Sequence, residues 1–560
     1  MNQSRLSFLL LTLCASLFFA CKQEPAPQSA NDRFSTFIEG FGPSSGRGRR
    51  PPMDNLSDSS YRASLSVVKE QLQALTEIDT AQLGEEERID WLFAHSLLSG
   101  RTLELGSMKY HEKDPRLYML FTGISDVIAK PGAVNDKIGE IHDRLKITPV
   151  QLANGRRQLK FHVPRFRELS LFMAENGLLL FDRDLPAFIK SSGDEAKGLE
   201  GPAADARAAL VEFIAFLKDE LPGRPEASFA IGKQTYDSML RLQYLLPYDG
   251  EGLHAFGRSE FERTVKELED LARTIDPKKT WQQLATEVKQ ESPKPHDMIA
   301  AHQDWVDRSG VHIRKLDLIP IPWKERVRVV PRAEYLRKTS YYGNFSSAKR
   351  KDADSIFTSE WMINPYEDQW DAKRKEDYMH EHDWGVIIVT APHETYGGHH
   401  VQGLYQMHHP RKIRRENGIS IFSEGWGLYN EHLMQETGFF PSERIHLRQL
   451  QLRLWRIARV VYDAGMHTGL LEYREAIRLM TERVGFLEWA AQLEVDAATA
   501  SPGYFIGYYT GMSEILKMRE EYRQRQGDKF SLRDFHERLL VAGNMPPALM
   551  RRALLSGTAR

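Results

Sequence analysis

His393-Glu394 is followed by His399-His400 and, about twenty residues later, by Ser423-Glu-Gly-Trp-Gly-Leu-Tyr-Asn-Glu431. Hydrolysis of an amide at zinc needs two or three protein ligands and an open position for water. It also needs a carboxylate that takes the water's proton and donors that hold the oxyanion. A His-Glu pair on one helix puts the ring on the metal and the carboxylate beside the water. The usual second histidine lies four residues on, one turn along the same face. Here the next histidines, His399 and His400, lie six and seven residues after His393. Seven residues return to the same face but roughly 10.5 Å along the axis, and six point about 120° away. Gly397-Gly398 lies between and tolerates a local break. A distorted helix can return one of them to the metal: His399 is the preferred ligand, with His400 as a supporting or substrate-contacting residue or as the alternative ligand. Glu424 is the expected third ligand, from a following helix, although a carboxylate beside Ser423 also suits a helix start. Glu431, seven residues on, is placed to support a ligand histidine. One zinc ion is the expected cofactor, while two histidines and a carboxylate also suit iron or manganese.

The elements that must hold these groups read as helices. Leu65, Val68, Leu72, Leu75 and Ile78 recur at helical spacing, and Arg88 to Leu103 continues the pattern. A helix is predicted over 134–144, and Thr148-Pro149 predicts a fresh start. Further helices are predicted over about 163–182, 203–219, 233–243, 257–275 and 294–315, their charged faces solvated. Beyond the motif they are expected over 423–436, 442–467, 472–484, 486–500, 506–525 and 531–542. Strand signals are few. Arg326 to Val330 alternates, Ser355–Thr358 and Trp361–Asn364 read as edge strands, and Gly385 to Thr390 reads as a short buried strand before the His-Glu helix. His380 and His382 are expected in a polar loop. His408 to Arg415 is expected as a solvated basic loop.

The chain has 560 residues, 41% hydrophobic and 27% charged, with a formal net charge of -2. That composition builds a large core and gives no global charge for nucleic acid. The two cysteines, Cys14 and Cys21, lie at the N-terminus, so a metal in the body must use histidine and carboxylate. Arg5 and the apolar run Leu6 to Ala20 read as a signal peptide. The run ends Leu17-Phe-Phe-Ala-Cys21, like a lipoprotein signal whose cysteine takes the lipid. Residues 1–21 are thus the expected signal and Cys21 the lipidation site, with an ordinary secretory signal or a signal anchor as alternatives. The Pro-, Ser- and Arg-rich stretch 22–55 is expected to be a flexible tether. Residues 56–384 are expected as the helical N-terminal part of the body, intertwined with 385–560, the part that bears the metal site.

The motifs resemble the bacterial DUF885 family, many of whose members are described as lipoproteins. Its pattern His-Glu-Ala-Tyr-Pro-Gly-His-His-x-Gln is similar to His393, Glu394, Tyr396, Gly398, His399, His400 and Gln402, with Gly397 in place of proline. Its Glu-Gly-Trp-Ala-x-Tyr-x-Glu resembles Glu424, Gly425, Trp426, Tyr429 and Glu431. Leu72–Leu105, Gly232–Tyr236, Arg456–His467 and Pro502–Gly511 resemble further family segments, so the likeness runs from about residue 60 onward. Tyr509 stands where the family usually has lysine and Tyr504 where it often has glutamine, neither expected to touch the metal ligands.

The resemblance implies a mostly α, metallopeptidase-like fold of the gluzincin type with a small β element before the His-Glu helix. It implies His393, His399 and Glu424 as zinc ligands and Glu394 as general base and later proton donor. His467 and Tyr508 become candidates for oxyanion stabilisation. Arg456 or Arg459 becomes a candidate for a substrate carboxylate, with a structural ion pair to Asp463 or Glu494 as the alternative. The expected protein is an exported, lipid-anchored zinc metallopeptidase of the bacterial envelope, facing the periplasm. It acts on peptides and meets the membrane through its anchor alone. Two other readings stand beside it: a metal-dependent amidohydrolase acting on peptidoglycan stem peptides, and a non-catalytic metal-binding lipoprotein.

Overall fold

A computed structural model of the protein describes residues 29–42, 53–129, 133–332, 343–348, 351–352 and 354–556. The signal, Cys21 and half of the expected tether lie outside the described residues. The described chain is mostly helical, with one small sheet. None of its helices is long and apolar enough to cross a membrane.

At the centre lies the helix Glu443–Thr468, buried from Leu447 to His467 on nearly every side. Its Arg448, Gln451, Arg453, Arg459 and Asp463 are therefore buried rather than solvated, as a charged helix face would suggest. A buried charge is costly unless paired, and each of these has a partner. Arg448 Nη2 donates to Asp383 Oδ2 at 2.9 Å, Gln451 Nε2 to the Val484 carbonyl at 2.9 Å, and Arg453 pairs with Glu267. Asp463 Oδ1 accepts from the Tyr236 hydroxyl at 2.6 Å. The helix Gly250–Ile275 lies along this central helix. A second apolar core, including Leu145, Leu152, Leu210 and Phe213, forms among helices between residues 56 and 221.

Four expectations about where the chain is helical or solvated are corrected first. Helix Val134–Gln158 runs straight through Pro149 instead of restarting there. Ile141, Leu145 and Leu152 bury one continuous face, and the Thr148 hydroxyl donates to the Arg144 carbonyl at 2.7 Å. Tertiary burial outweighs the local cost of proline. The apolar run 385–390 is helix, not strand. It lies in Trp384–Glu394, started by Asp383, which accepts from Val386 N at 3.0 Å. Inside a core all sides are apolar, so periodicity does not separate a buried helix from a buried strand. Within the expected tether, Ala30–Gly40 is a helix with Ala30 and Phe34 buried, and the Lys412 ammonium binds the Glu39 carbonyl at 2.6 Å. The basic segment 411–415 is not a solvated loop. Arg411 and Arg414 both grip the buried Asp90, with Arg414 Nε 2.6 Å from Oδ1.

The sheet has the order β1-β3-β2, with β1 (Glu325–Pro331) parallel to β3 (Phe357–Ile363) and β2 (Asn344–Ser346) antiparallel to it. β3 is thus central, not an edge. Its Phe357, Ser359, Trp361 and Ile363 point inward at the two-residue period of a strand. Before the His-Glu helix, Ala372–Glu381 is helical. His382 at its end is buried, its ring stacked on Tyr378 at 4.1 Å, rather than sitting in a polar loop.

Candidate metal centre

The His-Glu helix stops at Glu394, residues 395–398 form a turn, and a new helix begins at His399. Gly398 makes the turn possible. A Cβ there would sit 1.7 Å from the His393 carbonyl oxygen, a distance no side chain permits. The break brings the His393 and His399 rings to 5.0 Å between centroids, nearly perpendicular.

Glu424 comes from the helix Ser420–Glu436. That helix meets Gly507–Gln526 backbone to backbone, since a Cβ on Gly425 would lie 2.5 Å from Gly511 Cα. Glu424 Oε2 lies 3.9 Å from His393 Nε2 and 3.5 Å from His399 Nε2. The ligating atoms of the three residues all lie within 4.8 Å of one another. Two ligands of a tetrahedral zinc at about 2.1 Å stand roughly 3.4 Å apart. The donor set and its spacing therefore fit one divalent ion.

The surroundings fix each ligand. Glu431 Oε1 accepts from His393 Nδ1 at 2.8 Å, which leaves Nε2 with its lone pair toward Glu424. Gly427 leaves room for the ring, since a Cβ there would come within 2.7 Å of Nε2. Burial would raise the Glu424 carboxyl, but the hydrogen bond and charge of His399 bring it down to about 2. Burial would lower His399, but Glu424 and Glu394 carry it up to about 9. The negative charge of Glu424 and Glu394 beside these buried rings is what a cation would neutralise. Glu394 is half-buried, and among the described residues none hydrogen-bonds its carboxylate.

The remaining candidates divide. Tyr508 stacks 6.4 Å from the His393 ring, and burial holds its phenol protonated, well above its ordinary value. His400 turns into the sheet, fully buried. Its Nε2 donates to Glu325 Oε2 at 2.7 Å and its Nδ1 lies 2.8 Å from Ser359 Oγ. Arg459 is committed to Glu494, with Nη2 at 2.8 Å from Oε2. Arg456 donates to the Leu452 carbonyl at 3.2 Å and approaches Glu431 Oε1 at 3.9 Å. The ion-pair alternative describes Arg459, whereas the buried Arg456 Nε has no hydrogen-bond partner among the described residues.

The expectation for His467 fails. Its Nε2 donates to the Ala498 carbonyl at 3.0 Å, its ring lies between Tyr236 and Phe229, and burial lowers it to about 4. It is a neutral packing residue roughly 16 Å up the central helix from Arg456. The expectation that Tyr504 stays clear of the ligands also fails, because its hydroxyl donates to Glu424 Oε1 at 2.7 Å. Tyr509 instead binds Glu260 and accepts from Arg263 Nη2 at 2.9 Å.

The profile of the family described as "Bacterial protein of unknown function (DUF885)" matches residues 43–554. The chain belongs to the DUF885 family. Two solved structures share its fold, each described as a "putative lipoprotein". The one from Shewanella oneidensis is 21% identical with a TM-score of 0.78, over 94% of this chain and 100% of that one. The one from Colwellia psychrerythraea is 15% identical with a TM-score of 0.72, over 94% and 99%. A carboxypeptidase from Pyrococcus furiosus matches at 12% identity and a TM-score of 0.34, over 93% of each chain, a likeness too slight to carry an argument. Comparison with curated proteins finds no significant match.

Two groups around this DUF885 site escaped sequence reasoning. Glu325 and Ser359, which hold His400, lie far from it in the chain and carry no motif. The only sequence signal for Tyr504 is its departure from the family residue at that position.

Proposed function

We propose that this DUF885 protein is an exported, lipid-anchored zinc-dependent metallopeptidase that hydrolyses peptide bonds at the periplasmic side of the envelope. The observation that supports it is the convergence of His393, His399 and Glu424 beside a carboxylate, Glu394, that no described residue hydrogen-bonds. A purely structural metal site has no use for such a base.

His393, His399 and Glu424 would hold the metal, with Glu431 keeping His393 in the Nδ1–H tautomer. When bound, zinc supplies Lewis acidity and lowers the pKa of water. Glu394 takes a proton from water as the water oxygen bonds to the peptide carbonyl carbon. It returns that proton to the amine nitrogen as the carbon–nitrogen bond breaks. The Tyr508 phenol, kept protonated by burial, donates to the oxygen on which charge develops.

The test compares the mature wild-type chain with Glu394→Gln for bound metal and for cleavage of a peptide library. Both proteins should carry about one zinc per chain, and only wild type should cut. Wild type that holds metal and cuts no peptide, or cuts only muropeptides, overturns the peptidase reading. Wild type without affinity for metal overturns the metal centre as well. Replacing Cys21 with serine should move the protein from the membrane fraction to the soluble envelope fraction.

A further inference from the structure

We infer that Tyr504 is a positioning residue that limits Glu424 to a single metal-facing oxygen and so keeps a coordination position open. This rests on the metal reading above, but concerns a residue that reading does not use.

The two oxygens of Glu424 have different surroundings. Oε2 faces the ring nitrogens of His393 and His399 at 3.9 and 3.5 Å. Oε1 accepts the Tyr504 hydroxyl at 2.7 Å. A carboxylate without such a donor is free to turn both oxygens onto a cation, filling the place that a reacting water or carbonyl needs. A phenol hydrogen-bonded to one oxygen opposes that rotation.

Tyr504 is itself held. The residue before it, Gly503, has φ of +75°, and a Cβ there would lie 2.5 Å from Met239 Cε. Gly503 N donates to Asp463 Oδ1 at 2.9 Å, and Asp463 is anchored by the Tyr236 hydroxyl. Tyr504 N donates to the Ser501 carbonyl at 3.1 Å. The Tyr504 ring meets Phe505 and Tyr508 edge-on at 5.2 and 6.2 Å. A pinned turn thus delivers one hydroxyl to one oxygen of the ligand.

The experiment is Tyr504→Phe in the mature chain, with Tyr508→Phe as the comparison. Both are loaded with cobalt for visible spectroscopy and with zinc for X-ray absorption and competitive affinity measurement. Four-coordinate cobalt absorbs strongly in the visible and five-coordinate cobalt weakly. Tyr504→Phe should lose most of the visible intensity, gain about one zinc ligand, and bind zinc about 10- to 100-fold more weakly. Tyr508→Phe should keep the wild-type spectrum. An unchanged spectrum and ligand number in Tyr504→Phe, whatever its zinc affinity, overturns the inference while leaving the metal centre intact. Wild type that takes up neither ion overturns both. A thermal melt of the metal-free variants separates coordination from folding. If Tyr504→Phe melts well below wild type, wild-type ligand number in its folded fraction still refutes the role.

Discussion

Gly427 offers a direct probe of the centre, because one methyl group there must displace a ligand. A Cβ at this position would lie 2.7 Å from His393 Cε1 and Nε2 and 3.0 Å from Cδ2. Carbon atoms settle at about 3.5–4.0 Å, so helix and ring must part by roughly 0.8–1.3 Å. His393 has little freedom to retreat, being 3% exposed with its Nδ1 held by Glu431 at 2.8 Å. Metal–ligand distances tolerate only about 0.2 Å. Gly427→Ala should therefore weaken zinc binding about 10- to 100-fold, as when a ligand's supporting contacts are lost. Overpacking should also cost the metal-free fold about 1–3 kcal/mol. Zinc affinity is read by competition with a chromophoric chelator and fold stability by denaturation without metal. A variant with wild-type zinc affinity and a wild-type melt would refute the placement of His393 against this helix.

Three further outcomes follow from the structure. His399→Ala should abolish stoichiometric zinc, whereas His400→Ala should keep zinc and lower the melting temperature, since it strips Glu325 and Ser359 of a buried partner; metal analysis with thermal melts distinguishes the two. Asp90→Ala should cost about 1–3 kcal/mol in denaturant unfolding, because Arg414, 2% exposed, and Arg411 lose the buried carboxylate they share and keep only Glu86 and Glu87. Burial raises the Asp463 carboxyl from 3.8 to about 7, against the lowering effect of Tyr236 and Gly503. Its folded form holds a proton that the unfolded chain releases, so stability should fall as pH rises from about 4 to about 7, by up to about 4 kcal/mol. Asp463→Asn should flatten that slope in denaturation curves at pH 5 and pH 8, and an unaltered slope would refute the assignment.

The chemistry was more legible in the sequence than the supports that hold it. His393, Glu394, His399 and Glu424 announce themselves by type and spacing, and Gly397-Gly398 marks the break that reunites two histidines six residues apart. The long helices were legible where one face is apolar and the other wet. Legibility ended where burial is complete. Gly385 to Thr390 carries no period because every direction from it is core, and Pro149 is overruled by the face that flanks it. The central helix looks like a charged surface helix only because its partners, Asp383, Glu267 and Glu494, are remote in sequence. His467 shows the converse error. A histidine at the end of a polar helix looks available for chemistry until the carbonyl of Ala498 is found against it.

The close crossing of Gly425 and Gly511 sets an order on the birth of the centre. His393, His399 and Glu424 are synthesised within about thirty residues of one another, yet the wall behind Glu424 arrives only with residues 507–526. Tyr504 belongs to that late segment too. A nascent chain that ends before it carries every ligand without the surface that aligns them, and ordering groups before their packing partners exist is entropically opposed. On the metal reading proposed above, capture of an ion would wait until this later segment has packed. Loss of only its final fifty residues would leave a chain with the full signature of a metal site and no centre.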